Sequence, residues 1–331
     1  MVHLFLVFVL GVVLGCRAGA ADIFEANRGL GRGINLGNAL EAPAEGDWGI
    51  KLEDSYFVAI QKAGFQHVRL PVRWSTHAAE TTPYTIDPQF FSRVDWALDQ
   101  ALKRGLKVVL NVHHYEALYA DPAAHQERFL ALWRQIGAHY AERPDTIFFE
   151  ALNEPHDQLD AERWNDLIPR ALQVIRERNP QRPVVIGPAN WNAVSALPRL
   201  KLPADDRRII ATFHYYEPFA FTHQGAEWVK DAPKLGTRWT GTAAETAALR
   251  QSFERAAEWA KRENRPLYVG EFGSYSKADL ESRLQWTSAV RAEAENLGMS
   301  WAYWEFGAGF GAYDRSLKAW REPLLRALVP Q

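Results

Sequence analysis

Short apolar runs recur along the chain at Gly33–Leu36, His67–Val72, Leu106–His113, Thr146–Asn153, Pro183–Gly187, Ile209–Tyr215, Pro266–Glu271 and Ser300–Glu305. Their length predicts strands. Between them lie helix-like stretches near 53–64, 90–104, 125–141, 161–178, 243–264, 277–297 and 316–328, with a shorter interval near 190–199 after the fifth run. Strands alternating with helices pair in parallel. Eight such units predict a single (β/α)8 TIM barrel over 22–331, whose functional residues gather at the carboxyl ends of the strands.

The runs end on polar residues. The first passes into Asn35, Asn38 and Glu41, and the second carries Arg69 in "VRLPVRW". The third ends in His113 and His114, the fourth in Asn153 and Glu154, and the sixth in His214 and Tyr216. The seventh ends in Glu271 and the eighth in Trp304 and Glu305. So many polar ends converging on one barrel mouth exceed what packing requires. Glu154 and Glu271 then face one another, and glycoside cleavage uses such a pair of carboxyl groups. Glu154 would donate the proton, its pKa lifted by a neighbouring carboxylate, while Arg69 or Tyr216 would keep Glu271 ionised for attack.

Other readings of these residues are weaker. Adjacent strand residues point to opposite faces, so His113 and His114 are poorly placed to chelate one metal ion. Arg69 could instead pair with a buried acid, and Glu150 reads as an acid of the barrel interior. Glu305 is more in keeping with orienting its neighbours than with a second nucleophile. His67, His125 and His139 read as surface or packing histidines, and Glu116 and Glu217 receive no role.

Composition narrows the partners. The 331-residue chain is 47% hydrophobic and 24% charged, with a formal net charge of −2 and no basic run, which argues against nucleic acid or an anionic membrane as partner. Thirteen Trp, 17 Phe and 11 Tyr exceed core needs enough to hint at aromatic faces for sugar rings. The apolar stretch from Leu4 to Leu14, followed by Ala18-Gly19-Ala20, reads as a signal peptide over 1–21. Export to the periplasm or medium is expected, and "VLGC" offers Cys16 as an alternative lipid anchor. Cys16 is the only cysteine, so the exported protein holds no disulfide. No appended binding module is expected.

Taken together, "RGINLGN", "VRLPVRW", "NVHHYE", "LNEP", "HYYEPF", "GEFG" and "YWEFG" resemble the signature of family five of the glycoside hydrolases, the cellulase and mannanase family. The resemblance runs from "GRGINLGNALEAP" at 31 to "WAYWEFGAGFGAYD" at 301. It implies a retaining mechanism through a covalent glycosyl-enzyme, with Glu154 as acid/base and Glu271 as nucleophile. It implies that Arg69, His113, Asn153, His214, Tyr216 and Trp304 complete the site, and that the Trp304–Glu305 peptide is cis. Asn38, Glu41, His114, His223 and Trp228 would be rim contacts to further sugars. The family needs no metal or organic cofactor. "EGDWGIKLEDSYF" and "FTHQGAEW" further suggest the bacterial endoglucanase branch that also cuts mannans. The expectation is thus a monomeric endo-β-1,4-glucanase acting on β-glucan, with glucomannan as a second polysaccharide substrate. An exo-acting β-glucosidase and a non-catalytic sugar-binding protein are the alternatives.

Overall fold

The computed structural model describes residues 22–330. The leader, its cleavage site and Cys16 lie outside the described residues. Eight parallel strands close into a barrel in chain order: β1 Arg32–Asn35, β2 His67–Leu70, β3 Lys107–Asn111, β4 Ile147–Glu150, β5 Val184–Ile186, β6 Ile209–Tyr215, β7 Leu267–Phe272 and β8 Ser300–Tyr303. The expected (β/α)8 barrel is therefore the fold.

The helices around it are α2 Asp54–Ala63, α3 Pro88–Leu102, α5 Pro122–His139, α6 Ala161–Arg178, α8 Ala243–Glu263, α9 Leu280–Asn296 and α10 Glu322–Leu328, with short α4 Glu116–Ala120 and α7 Phe219–Thr222 in the loops. Their starts follow from local chemistry. Asp87 and Asp121 each accept a backbone N–H and are followed by proline, which suits the first helical position. Thr242 and Glu245 form a reciprocal capping box that opens α8. After β5 the wall holds only a 3-10 turn, Val194–Arg199, where the sequence shows its short interval. Among the described residues no helix is long and apolar enough to cross a membrane.

Two elements depart from expectation. A helix α1, Ile23–Leu30, precedes the barrel and closes its amino-terminal end. The expected helix over 316–328 begins only at Glu322, because Tyr313–Asp314 (β9) and Ala319–Trp320 (β10) pair as a hairpin first. The turn between them is built by Asp314 Oδ1, which accepts from Ser316 N, Ser316 Oγ and Leu317 N. Such an Asx turn competes with helix formation.

Inside the barrel, side chains alternate in layers. At the bottom Val109, Phe148, Val185, Ile210, Tyr268 and Ala302 pack on Ile23 and Leu30 of α1. One strand step higher the inward residues are Asn35, Arg69, Asn111, Glu150 and Thr212, all buried and all polar. The site stands on this second layer.

Candidate active site

Arg69 organises the layer. Its Nε and Nη2 donate to Glu150 Oε2 and Oε1 at 2.6 and 2.7 Å. Its Nη1 donates to Asn35 Oδ1 at 2.9 Å and to Glu271 Oε1 at 2.6 Å, and its Nη2 also to Asn153 Oδ1 at 2.8 Å. A guanidinium has five N–H groups, and all five are used. The buried cation thus meets Glu150 and Glu271 together, where the sequence set Glu271 against an unnamed buried acid as its partner. Its contact with Asn153 occupies the amide oxygen, leaving that amide N–H₂ with no partner among the described residues.

Glu154 and Glu271 are brought together by two local irregularities. On β7, Tyr268 and Gly270 point inward by alternation. A Cβ at Gly270 would lie 2.9 Å from Thr212 Oγ1 and 3.0 Å from His214 Nε2. The register then shifts between Val269 and Phe272, which turns Glu271 inward as well. Strand β4 stops at Glu150, earlier than expected, and Glu154 lies four residues on with φ 45°. Its position is set by Tyr119 Oη, which donates to Asn153 O, and by Asn153 N, which donates to Val112 O at 2.9 Å.

Glu271 Oε2 accepts from Tyr216 Oη at 2.8 Å. His214 Nδ1 lies 2.6 Å from Glu154 Oε1 and 3.6 Å from Glu271 Oε2. One donor atom from each of Glu154, His214 and Glu271 falls within a 4.8 Å span. Burial pushes the Glu154 carboxyl up to about 7, against the pull of Arg69, His114 and His156. Burial also raises Glu271, and Glu154 adds to that rise, while His214, Arg69 and Tyr216 work against it. Burial lowers His214 to about 4, so the ring is neutral near pH 7.

The remaining expected residues divide. His113 is buried, stacked 6.0 Å from Trp304 with ring planes 9° apart, and hydrogen-bonded through Nδ1 to Asn111 at 2.9 Å. The Trp304–Glu305 peptide is cis. Glu305 accepts from the backbone N–H groups of Gly307, Ala308 and Phe310, which is the orienting position expected of it. His113 and His114 do not sit on opposite strand faces, because β3 ends at Asn111 and His114 adopts φ 49°. Their rings meet edge to face at 4.5 Å. Glu41 departs from the rim position. It is fully buried and accepts from Asn38 N and Ala39 N, so it braces the loop that presents Asn38. His223 stacks on Phe219 and lies beside Trp228, which is 58% exposed.

Sequence reasoning passed over the loop after β5. There Asn190, Trp191 and Asn192 all adopt positive φ. Trp191 is 49% exposed and stacks on His156, whose Nδ1 lies 2.6 Å from Glu154 O. Asn192 is buried behind His214. The signal was the string "ANWN" directly after the fifth run, the one strand to which no polar end was assigned. Trp48, 40% exposed against His114, is a third exposed tryptophan among the described residues.

Two carboxyl groups facing one another at a barrel mouth, both raised by burial, are the arrangement that glycoside cleavage uses. Comparison with known proteins agrees. Residues 32–309 match the model of Cellulase (glycosyl hydrolase family 5), and the chain belongs to that family. It is 38% identical over 298 residues to Endoglucanase H of Acetivibrio thermocellus, covering 90% of this chain and 32% of that protein. The chain thus spans about a third of that relative's length. Among solved structures, Thermotoga maritima Cel5A in complex with cellobiose is 54% identical at a TM-score of 0.92, covering 93% of this chain and 100% of that one. The same enzyme in complex with mannotriose is 53% identical at the same TM-score and coverage.

Proposed function

We propose that the chain is an endo-β-1,4-glucanase that cleaves with retention, and that it also accepts β-mannans and glucomannan. The observation that carries the retaining reading is the 4.8 Å span holding Glu154, His214 and Glu271. Retaining pairs sit ~5 Å apart, whereas inverting pairs stand ~6.5–9.5 Å apart to admit a water. Glu271 attacks the anomeric carbon as Glu154 hands its proton to the departing oxygen and the glycosidic bond breaks. Glu154, now a carboxylate, takes a proton from water, which attacks the same carbon and releases Glu271. The free amide N–H₂ of Asn153 suits a hydrogen bond to the 2-hydroxyl of the sugar being cleaved, a contact that strengthens in the transition state.

Chain-internal cleavage is supported by exposed tryptophans on three separate loops: Trp48 after β1, Trp191 after β5 and Trp228 after β6. Faces so distributed suit several sugar units of one chain better than a pocket for a single terminal sugar. The names of the relatives point the same way, and the cellobiose and mannotriose complexes of Cel5A support dual glucan and mannan use. Export and action as a monomer belong to the same proposal. The test is viscosity loss against reducing ends on carboxymethyl-cellulose, mixed-linkage β-glucan, glucomannan and pure mannan. Early viscosity loss on all four is expected. Release of glucose alone without viscosity loss would favour the exo-acting alternative, and binding without turnover the non-catalytic one.

A further inference from the structure

The imidazole of His214 has two faces. Nδ1 looks at the two catalytic carboxyl groups, 2.6 Å from Glu154 Oε1 and 3.6 Å from Glu271 Oε2. Nε2 lies 3.4 Å from the amide nitrogen of Asn192. Backbone and side chain hold these two residues together, because His214 N also donates to Asn192 O at 2.9 Å. Asn192 is fully buried, and it fits so tightly on Gly187 that a Cβ there would lie 2.2 Å from Asn192 Oδ1. That oxygen has no hydrogen-bond partner among the described residues. The groups facing His214 are Glu154 and Glu150 from the β4 side, Glu271 on β7, Arg69 on β2, and His113 beyond β3, with Tyr216 following on its own strand.

A neutral imidazole carries one proton, and the partner of the other nitrogen selects where it sits. A bare Nδ1 would turn its lone pair on two carboxylates. A protonated Nδ1 donates to them, and Nε2 must then accept. We propose that Asn192 is a positioning residue that donates to His214 Nε2 and so holds the imidazole proton on Nδ1. In that tautomer His214 is a donor to one Glu154 oxygen, so the carboxyl proton of Glu154 stays free for the departing glycosidic oxygen. The same N–H then stabilises Glu154 as a carboxylate when water attacks. With the opposite tautomer, Nδ1 would accept the Glu154 proton and compete with the leaving group for it. The inference rests on the acid/base reading of Glu154.

Asn192→Asp keeps the size of the side chain and tolerates the left-handed backbone at φ 52°. It replaces the N–H₂ donor by an acceptor, which draws the imidazole proton to Nε2. Expected in this variant is a fall in kcat/KM on cello-oligosaccharides of at least ~10-fold, because correct proton donation is worth ~10²–10⁴. On dinitrophenyl cellobioside, whose leaving group needs no proton, kcat/KM should stay within about threefold. The alkaline limb of the pH profile should move to higher pH, since Glu154 loses a donor and gains a nearby negative charge. An unchanged pH profile with equal effects on both substrates would overturn the proposal. Independently of that variant's folding, nitrogen NMR of the wild-type histidines, assigned with His214→Gln, should find His214 neutral with its proton on Nδ1. A proton on Nε2 would overturn it as well. Failure of the underlying reading looks different: Glu154→Ala would then lose kcat/KM on dinitrophenyl cellobioside, which reads glycosylation alone, as fully as on oligosaccharides.

Discussion

The two ends of the barrel are built from the same eight strands and obey opposite rules. At the bottom, Phe148, Ile210, Tyr268 and their neighbours pack on α1, and Asn27 of that helix donates to Leu267 O at 2.8 Å while accepting from Ser300 Oγ. The polar groups there are paired: His67 bridges Leu30 O and Tyr268 Oη at 2.8 and 3.0 Å. At the top, Glu41, Glu271 and Glu305 are buried carboxyl groups close to the partly exposed Glu154, and desolvation lifts all four. His114, Glu154 and Asn192 hold positive φ, a region disfavoured for residues other than glycine. Arg69 lies between the two regimes and reconciles them, since one guanidinium holds both Glu150 below and Glu271 above. The difference separates two tasks. The bottom packs for stability, and the top holds charge in an unfavourable place, where the proposed bond cleavage would use it.

Substitutions at the two ends should therefore fail in different ways. The largest effect is expected at the top. Glu271→Gly should lose on the order of 10⁴-fold or more in kcat with little change in melting temperature. Added azide should restore turnover and yield a glycosyl azide of inverted configuration. Glu154→Ala should lose ~10²–10⁴-fold on oligosaccharides yet keep rapid glycosylation by dinitrophenyl cellobioside. A retained-configuration azide product from the Glu271 variant would exchange the two roles.

At the bottom the expectation reverses. Phe148→Ala removes a ring packed against α1 and should cost ~3–5 kcal/mol of stability, read by denaturant unfolding. Per folded molecule its kcat/KM should match the parent. A loss of catalysis without a loss of stability would show that the two ends are not separable.

A smaller effect is expected from pH. In its proposed acid role Glu154 would donate its proton only below its raised pKa of about 7, so kcat/KM should fall as pH rises through that value. The limb should vanish in Glu154→Ala assayed on dinitrophenyl cellobioside. Its persistence would place the titrating acid elsewhere, with the buried Glu41 and Glu305 as the remaining carboxyls near 7.

Much of this contrast was legible in the chain. Eight apolar runs and their polar ends led to the barrel, and to Glu154, Glu271 and Arg69 as residues that meet at its mouth. What escaped was geometry that periodicity does not encode. The apolar runs extend as strand to His113 and Asn153, yet the chain leaves the sheet at Asn111 and Glu150 and bends through left-handed residues. The inward turn of Glu271 depends on a register shift between strands, which no single strand records. Glu41 looked like a rim residue because its burial depends on backbone N–H groups of its own loop. Asn192 stood in view in "ANWN" yet carried no assigned role, since its side-chain contact is with a histidine 22 positions away.

The smallest expected effect concerns sugar choice. His223→Ala should change the ratio of glucan to mannan kcat/KM by less than ~10-fold, because several polar groups near the mouth can take up a 2-hydroxyl of either orientation. Glu41→Ala, which frees the loop presenting Asn38, should move that ratio and also lower total activity. Parallel kinetics on pure glucan and pure mannan read both. A parent enzyme blind to mannan would mean that one rigid contact reads the hydroxyl.

The central claim is that Glu154 and Glu271 stand close enough to work through a covalent intermediate, and the anomeric form of the first product tests it most directly. Proton NMR of cello-oligosaccharide hydrolysis, recorded before mutarotation, should show the β-anomer appearing first. The α-anomer as first product would contradict the account, because it would require a water between the two carboxyl groups.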